Sequence, residues 1–358
     1  MDGRRPSRRL GAASIGLALV GFLLLAGCGP WRLGRGIGPA RVEKLTTIEV
    51  RVPRPGELPG LVGRVQHHRV VARETLLDVA RDAGLGFSEL RDANPGISEW
   101  VPPPAADVVV PSRWILPRSR YRGLVVNIPE MRLYLFPTDT RPGEKVPMLT
   151  WAVGIGVEEA PSPVGPFTVR SKDANPTWIV PADILRTMDK PQKVVPPGPD
   201  NPMGAYRIRL SKGLYSIHGT NDPWSIGRLT THGCIRLYPE DIEVLYPLVD
   251  RGMPGELLYQ PVKLGEESGR VYVEVHEDVY RKIPDLERYA LSEVRKAGLA
   301  SRIDPALLRG AVVRKSGMPT DITRSASTQV ARGAEPSGDG RAAAPRSNDD
   351  RARAASAR

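Results

Sequence analysis

Thiol chemistry is scarce in this chain: two cysteines, Cys28 and Cys234, serve all 358 residues, and histidines number five. No CxxC pair is present, so the usual paired-thiolate zinc sites are excluded. No internal repeat is evident, which leaves no basis for a solenoid or propeller. The net charge of +11 invites nucleic acid as a partner. Yet no basic helix and no basic motif interleaved with aromatics appears, so nucleic-acid binding is set aside. What the chain has in quantity is proline and glycine, 36 of each, a composition of short strands, loops and linkers. With 41% hydrophobic residues it can bury a real core, and its length holds two domains plus tails.

Charge is also missing from Leu10 to Gly27, a run preceded by Arg4, Arg5, Arg8 and Arg9. A basic start, an apolar stretch and small residues at its end describe an export signal over residues 1–27. The run closes on Leu25-Ala26-Gly27-Cys28, which resembles a bacterial lipobox; Cys28 would then carry lipid and begin the mature chain. An uncleaved membrane-spanning anchor competes, since the run is just long enough to span a bilayer. Its four glycines and one serine weaken such a helix. Either way the body lies outside the cytoplasm, where its positive charge favours anionic polymers and lipid headgroups. Gly29, in place of the aspartate associated with inner-membrane retention, points to a lipid anchor on the periplasmic face of the envelope, at the outer membrane rather than the inner. If Cys28 is lipidated, Cys234 has no partner for a disulfide, and an unpaired thiol in an exported chain is a candidate reactive group.

Residues 28–65, rich in Gly, Pro and Arg with one β-like run at Thr46–Val52, read as a tether. Residues 66–118 read as strand, helix, helix and strand, with ARETLLDVARDAG as the first helix and Asn94-Pro95-Gly96 stopping the second. This order, with ETLLDVA, LRDANP and VVVP in sequence, resembles a LysM module, a fold that binds peptidoglycan glycan. Its usual Gly-Asp-Thr stands here as Arg73-Glu74-Thr75. From 122 to 261 the texture is short strands broken by Pro and Gly: a hairpin in LVVNIPEMRLYLF, then LTWAVGIG, GPFTVRSK, YRIRL, GLYSIHG and GELLYQP. One helix, PEDIEVLYPLV, interrupts them. The pattern predicts a mainly β sandwich or barrel-like domain. Asn175–Gly204 is a long, proline-heavy segment of the kind that is functional or disordered. Residues 262–315 read as a strand and two amphipathic helices, and 316–358 as a disordered tail.

The chemistry concentrates in SIHGTNDPWSIGRLTTHGCIRLY, residues 216–238. His218 closes a predicted strand, and Gly219 permits a sharp exit. Gly233 lets a turn present backbone N–H groups beside Cys234. A thiol is a nucleophile only as thiolate, and a nearby imidazole can take its proton. The stretch therefore offers base, nucleophile and oxyanion donors, the parts needed for acyl transfer. Three readings compete: zinc bound by His218, His232 and Cys234, an inert buried cysteine, and a chance pairing.

IHGT followed by TTHGCIRL resembles the signature of the L,D-transpeptidase (YkuD) catalytic family. NPTW, SPVGPFTV and VPPGPDNPMGAY, upstream of it, resemble the Gram-negative members. The resemblance implies a β-sandwich catalytic domain over 122–261 that acts on peptidoglycan stem peptides. Cys234 would be the nucleophile and His218 its base, oriented by the carbonyl of Gly219. The N–H groups of Gly233 and Cys234 would hold the oxyanion. His232, Thr231 and Arg236 fall in motif positions and would shape the site and bind the stem, with a structural ion pair the competing role for Arg236. Trp224, Tyr206 and Met203 are candidate pocket residues. The thiolate would attack between the third-position diaminopimelate and the terminal D-alanine of a tetrapeptide. The acceptor amine would be a second stem's diaminopimelate or the terminal lysine of an envelope lipoprotein; with water the enzyme would be an L,D-carboxypeptidase. Neither metal nor cofactor is called for. A non-catalytic wall-binding tether is the alternative in another class.

Overall fold

The computed structural model describes residues 42–186 and 191–325. The export signal, Cys28, the start of the tether and the tail beyond 325 lie outside the described residues. Among the described residues no helix is long and apolar enough to cross a membrane.

The chain enters on strands β1 (Thr47–Arg51), β2 (Leu61–Gly63) and β3 (Gln66–Arg69), followed by helices α1 (Leu76–Ala83) and α2 (Phe87–Ala93) and strands β4 (Asp107–Val110) and β5 (Arg113–Ile115). Thr75 starts α1 because its hydroxyl accepts from the Asp78 N–H while the Asp78 carboxylate accepts from the Thr75 N–H. Gly84 ends the helix in the left-handed region, φ 69°. Strands β3 and β4 pair antiparallel, so residues 66–110 fold as strand, two helices and strand.

The second region holds β6 (Gly123–Asn127), β7 (Arg132–Phe136), β8 (Lys145–Ala152), β9 (Ile155–Gly156), β10 (Gly165–Ala174), β11 (Trp178–Ile179) and α3 (Ala182–Leu185). It continues with β12 (Val194–Val195), β13 (Tyr206–Leu210), β14 (Ser216–His218), β15 (Leu229–Thr231), β16 (Ile235–Arg236), α4 (Pro239–Leu248) and β17 (Pro254–Leu258). Nine strands make one mixed sheet in the order β1-β8-β7-β6-β17-β10-β13-β14-β16. Strands β6 and β7, apolar at nearly every position, are buried throughout and so occupy its interior. Leu124, Val126, Leu133 and Leu135 share a core with Phe167, Val169, Ile208, Ile217 and Ile235 from the other arm of the sheet, and with Ile242 and Leu245 of α4. Two arms feeding one core give the sandwich character, and the domain is mainly β as the sequence predicts. The opposite face of β6 and β7 buries Val125, Tyr134 and Phe136 against Val50, Val52 and Met148.

Three sequence assignments are corrected. The tether of residues 28–65 is not a tether from residue 42 onward. Thr47–Arg51 pairs in register with Lys145–Leu149 at the sheet edge, and Leu61–Gly63 pairs with Arg113–Ile115. Thr46–Val52 is β-prone, but its partner lies far along the chain. In 262–315 the single predicted strand is a hairpin, β18 (Val262–Glu267) with β19 (Arg270–Val275), ahead of α5 (Leu286–Lys296) and α6 (Pro305–Arg314). Residues 316–325 of the predicted tail of 316–358 are folded: β20 (Thr320–Asp321) pairs with β19, and Ile322 is fully buried beside Val271, Ala290 and Leu308.

Candidate active site

Strands β14 and β16 run side by side and parallel, with Ile217 opposite Ile235 and His218 opposite Arg236. Extending that register by one residue sets Ser216 beside Cys234. Side chains alternate along a strand, so Ser216, His218, Cys234 and Arg236 project from one face. Sixteen residues apart in sequence, the imidazole and the thiol are diagonal neighbours on that face.

His218 is buried, and its Nδ1 lies 2.6 Å from the carbonyl oxygen of Gly219. A carbonyl only accepts, so Nδ1 carries the hydrogen and Nε2 keeps a free lone pair. Burial holds the ring neutral, dropping its pKa from the usual 6.5 to about 3; the positive charges of Arg236 and Arg207 act in the same direction, against the backbone of Gly219 and Met203. Gly219 is pinned in turn. A Cβ on Gly204 (φ 64°) would meet the Thr220 nitrogen at 2.7 Å and Gly219 carbonyl carbon at 2.9 Å, so the Asn201–Gly204 turn lies directly on the histidine's support.

Cys234 is a free, half-buried thiol. Burial raises its pKa, while the Ser216 backbone N–H and the guanidinium groups of Arg236 and Arg207 favour the thiolate. The turn ahead of it demands glycine: Gly233 has φ 96°, and a Cβ there would sit 2.4 Å from the Tyr215 ring. Thr231 braces this turn from within. Its hydroxyl accepts from the Gly233 N–H at 3.1 Å and donates to the Cys234 carbonyl at 2.7 Å. This departs from the expected oxyanion role of Gly233, whose N–H is already committed to Thr231; its contribution here is the turn itself.

The remaining candidates divide. Arg236 is half-buried, its Nε is shielded without a hydrogen-bond partner, and among the described residues it forms no ion pair, so the structural salt bridge weighed for it is not observed. Met203 is buried in the turn beneath Gly219. The Tyr206 ring packs tilted against Tyr246 at 4.5 Å, and its carbonyl accepts from the Gly219 N–H at 3.1 Å. His232 and Trp224 are exposed. His218, His232 and Cys234 do not converge as zinc ligands. The one group of three close metal-type donors among the described residues is Glu130, Glu274 and His276. There the Lys263 ammonium, 2.8 Å from Glu130 and 2.6 Å from Glu274, already supplies the cation.

Two structural supports escape motif reading. Asn201, almost fully buried, donates from Nδ2 to the carbonyls of Pro176 and Pro196 and accepts at Oδ1 from the Met203 N–H. It closes the base of the 176–200 segment, where β11 and β12 form a two-stranded ribbon. Its only sequence signal is its place in NPMG. The second support is the docking of α2 on the loop that leads to Cys234. The Phe87 N–H donates to the Ile226 carbonyl at 3.1 Å and the Ser88 hydroxyl to the Gly227 carbonyl at 2.6 Å. Gly86 and Gly227 pack backbone to backbone, with no room for a Cβ on either. Glu89 of α2 makes a bidentate ion pair with the wholly buried Arg132 of β7, 2.7 and 2.8 Å.

Comparison with known proteins identifies the family. Residues 121–263 match the family model of the L,D-transpeptidase catalytic domain, YkuD. Over 291 residues the chain is 34% identical to the "Probable L,D-transpeptidase ErfK/SrfK" of Salmonella typhimurium, covering 77% of this chain and 92% of the relative. It is 35% identical over 288 residues to the "Probable L,D-transpeptidase YcfS" of Escherichia coli, covering 76% and 88%. The NMR structure of the catalytic domain of an L,D-transpeptidase from E. faecium aligns with 40% of this chain and 100% of its own, at 20% identity and a TM-score of 0.30. The match to the curated relatives runs almost their full length and reaches well past the catalytic motif on both sides: the chain belongs to the L,D-transpeptidase family.

Proposed function

We propose that the chain is a peptidoglycan L,D-transpeptidase whose nucleophile is Cys234 and whose base is His218. One observation carries the assignment: the register of two adjacent parallel strands puts thiol and imidazole one diagonal apart on the same face, with the His218 Nδ1–H spent on the Gly219 carbonyl, leaving Nε2 as acceptor. At rest both groups are neutral. As Sγ attacks the carbonyl carbon between the third-position diamino acid and D-alanine, the thiol proton passes to Nε2. The oxyanion is held by the Cys234 N–H. Collapse breaks the C–N bond, the imidazolium gives its proton to the leaving D-alanine amine, and a thioester remains. The acceptor amine then attacks the thioester, His218 takes an amine proton, and that proton returns to the departing sulfur. Arg236 and Arg207 disfavour the imidazolium, so a stem carboxylate bound beside them makes His218 a better base when substrate is present.

The acceptor in this reading is the side-chain amine of a second stem's diaminopimelate or a lipoprotein lysine. Exclusion of water from the thioester, and so limited hydrolysis, is assigned to the Asn175–Gly204 segment. Lipid on Cys28 places the enzyme at the periplasmic face of the envelope, and the 66–118 module contacts peptidoglycan glycan. The test is product analysis after incubation with a disaccharide-tetrapeptide. Cross-linked dimer and free D-alanine, both lost in Cys234→Ala, support the reading. Neither product from folded, reduced protein would leave the non-catalytic tether in its place.

A further inference from the structure

The family match ends at residue 263, yet the C-terminal extension reaches back to the nucleophile turn. We propose that Tyr280, on the segment after β19, is a positioning residue for Cys234, acting through the loop of residues 156–162; the inference rests on the assignment of Cys234 above.

The loop and the turn share a wall. Gly156 pairs with Thr231, and the Val157 N–H donates to the Thr231 carbonyl at 2.8 Å. A Cβ on Gly156 would meet the Gly233 Cα at 2.9 Å, and one on Gly233 would meet the Pro161 carbonyl oxygen at 3.1 Å. The loop therefore lies against the residue before the nucleophile at both of its ends. Tyr280 closes it. Its hydroxyl donates to the Gly156 carbonyl at 2.9 Å and accepts from the Ser162 N–H at 3.0 Å. One oxygen thus satisfies a buried acceptor and a buried donor across the mouth of the loop. The Ser162 hydroxyl adds a third tie, accepting from the Gly156 N–H at 3.0 Å.

Tyr280 is itself held. Its N–H donates to the Tyr259 hydroxyl at 2.9 Å, its ring stacks on Tyr259 at 5.8 Å, and the Tyr259 hydroxyl donates to Asp278. The ring is 7% exposed and belongs to the catalytic core. A rigid chain of contacts runs from the extension, through one hydroxyl, to the backbone that aims the thiol. Without the hydroxyl, only the Ser162–Gly156 tie closes the loop, and the wall of the turn loosens.

The test uses the full chain carrying Cys28→Ser, so that Cys234 is its sole thiol. Tyr280→Phe keeps the ring and deletes both hydroxyl bonds. Acylation by a carbapenem should slow about tenfold at saturation, with the half-saturating concentration within about twofold. The melting temperature should stay within about 3 °C of the parent. Alkylation of Cys234 by iodoacetamide should shift to higher pH as the thiol leaves the Ser216 N–H. Tyr259→Phe, which removes the support of Tyr280, should slow acylation in the same direction and serves if Tyr280→Phe fails to fold. An unchanged acylation rate and alkylation profile in a folded variant would overturn the proposal, as would a lower melting temperature alone. If the parent itself is not acylated, the nucleophile assignment fails, and the alkylation profile still decides whether Tyr280 positions the thiol.

Discussion

At His218 burial outweighs every favourable contact the charged ring has. The unfolded imidazole titrates near 6.5 and the folded one only at about 3. Between those values the unfolded chain binds a proton that the folded chain refuses. Stability present above pH 6.5 is therefore lost as pH falls, at about 1.4 kcal/mol per unit from this one group. The melting temperature of the parent should drop more steeply from pH 6.5 to 4.5 than that of His218→Gln, and equal slopes would contradict the burial argument. Gly233 makes a second demand at this scale. Gly233→Ala places a methyl group against the Tyr215 ring at a φ of 96°. It should cost about 2–3 kcal/mol and abolish acylation while leaving Cys234 in place; thermal melts and adduct formation measure both. The two histidine–glycine pairs and the cysteine are legible in sequence because such small residues beside a lone thiol have few other uses. That Thr231 takes the Gly233 N–H is not legible, since it depends on how tightly the turn closes.

Among the elements, Asn201 ties Pro176 to Pro196 at the base of the β11–β12 ribbon, beside the Asn221 Nδ2 bond to the Asp200 carbonyl. Asn201→Ala removes the donor to the Pro176 and Pro196 carbonyls and the acceptor for the Met203 N–H, a loss of about 1–3 kcal/mol in local order. The expected outcome is a higher ratio of hydrolysed tripeptide to cross-linked dimer at similar D-alanine release; an unchanged ratio would separate this segment from water exclusion. Most strands of the β domain can be read from alternation and from Pro-Gly punctuation, because a half-buried strand writes its period into the sequence. Pairing is harder to read. Thr47–Arg51 shows its β character, but nothing local names Lys145–Leu149 as the partner, and the long-range pairing converts an apparent tether into a sheet edge. Ile322 likewise reads as part of a polar tail until β19 and α6 bury it.

Across the whole molecule, the 66–118 module and the catalytic domain share buried structure. Glu89 is one partner of a nearly water-free ion pair whose other member, Arg132, lies wholly inside the β domain. Arg81 adds a bidentate pair to Glu240 at the start of α4, 2.8 and 2.9 Å. Glu89→Ala strands a buried guanidinium and should cost about 3–5 kcal/mol in denaturant unfolding. Adding Arg132→Met should recover most of that loss, and purely additive losses would contradict a shared interface. No periodicity or motif announces this docking, because Gly86 and Gly227 contribute to it by having no side chain. Formation of the acyl enzyme is read most directly by intact-protein mass measurement of the Cys28→Ser chain after exposure to tetrapeptide. A tripeptidyl thioester should form on Cys234, absent in Cys234→Ala and greatly slowed in His218→Ala. An adduct on another residue, or D-alanine release undiminished in Cys234→Ala, would contradict it.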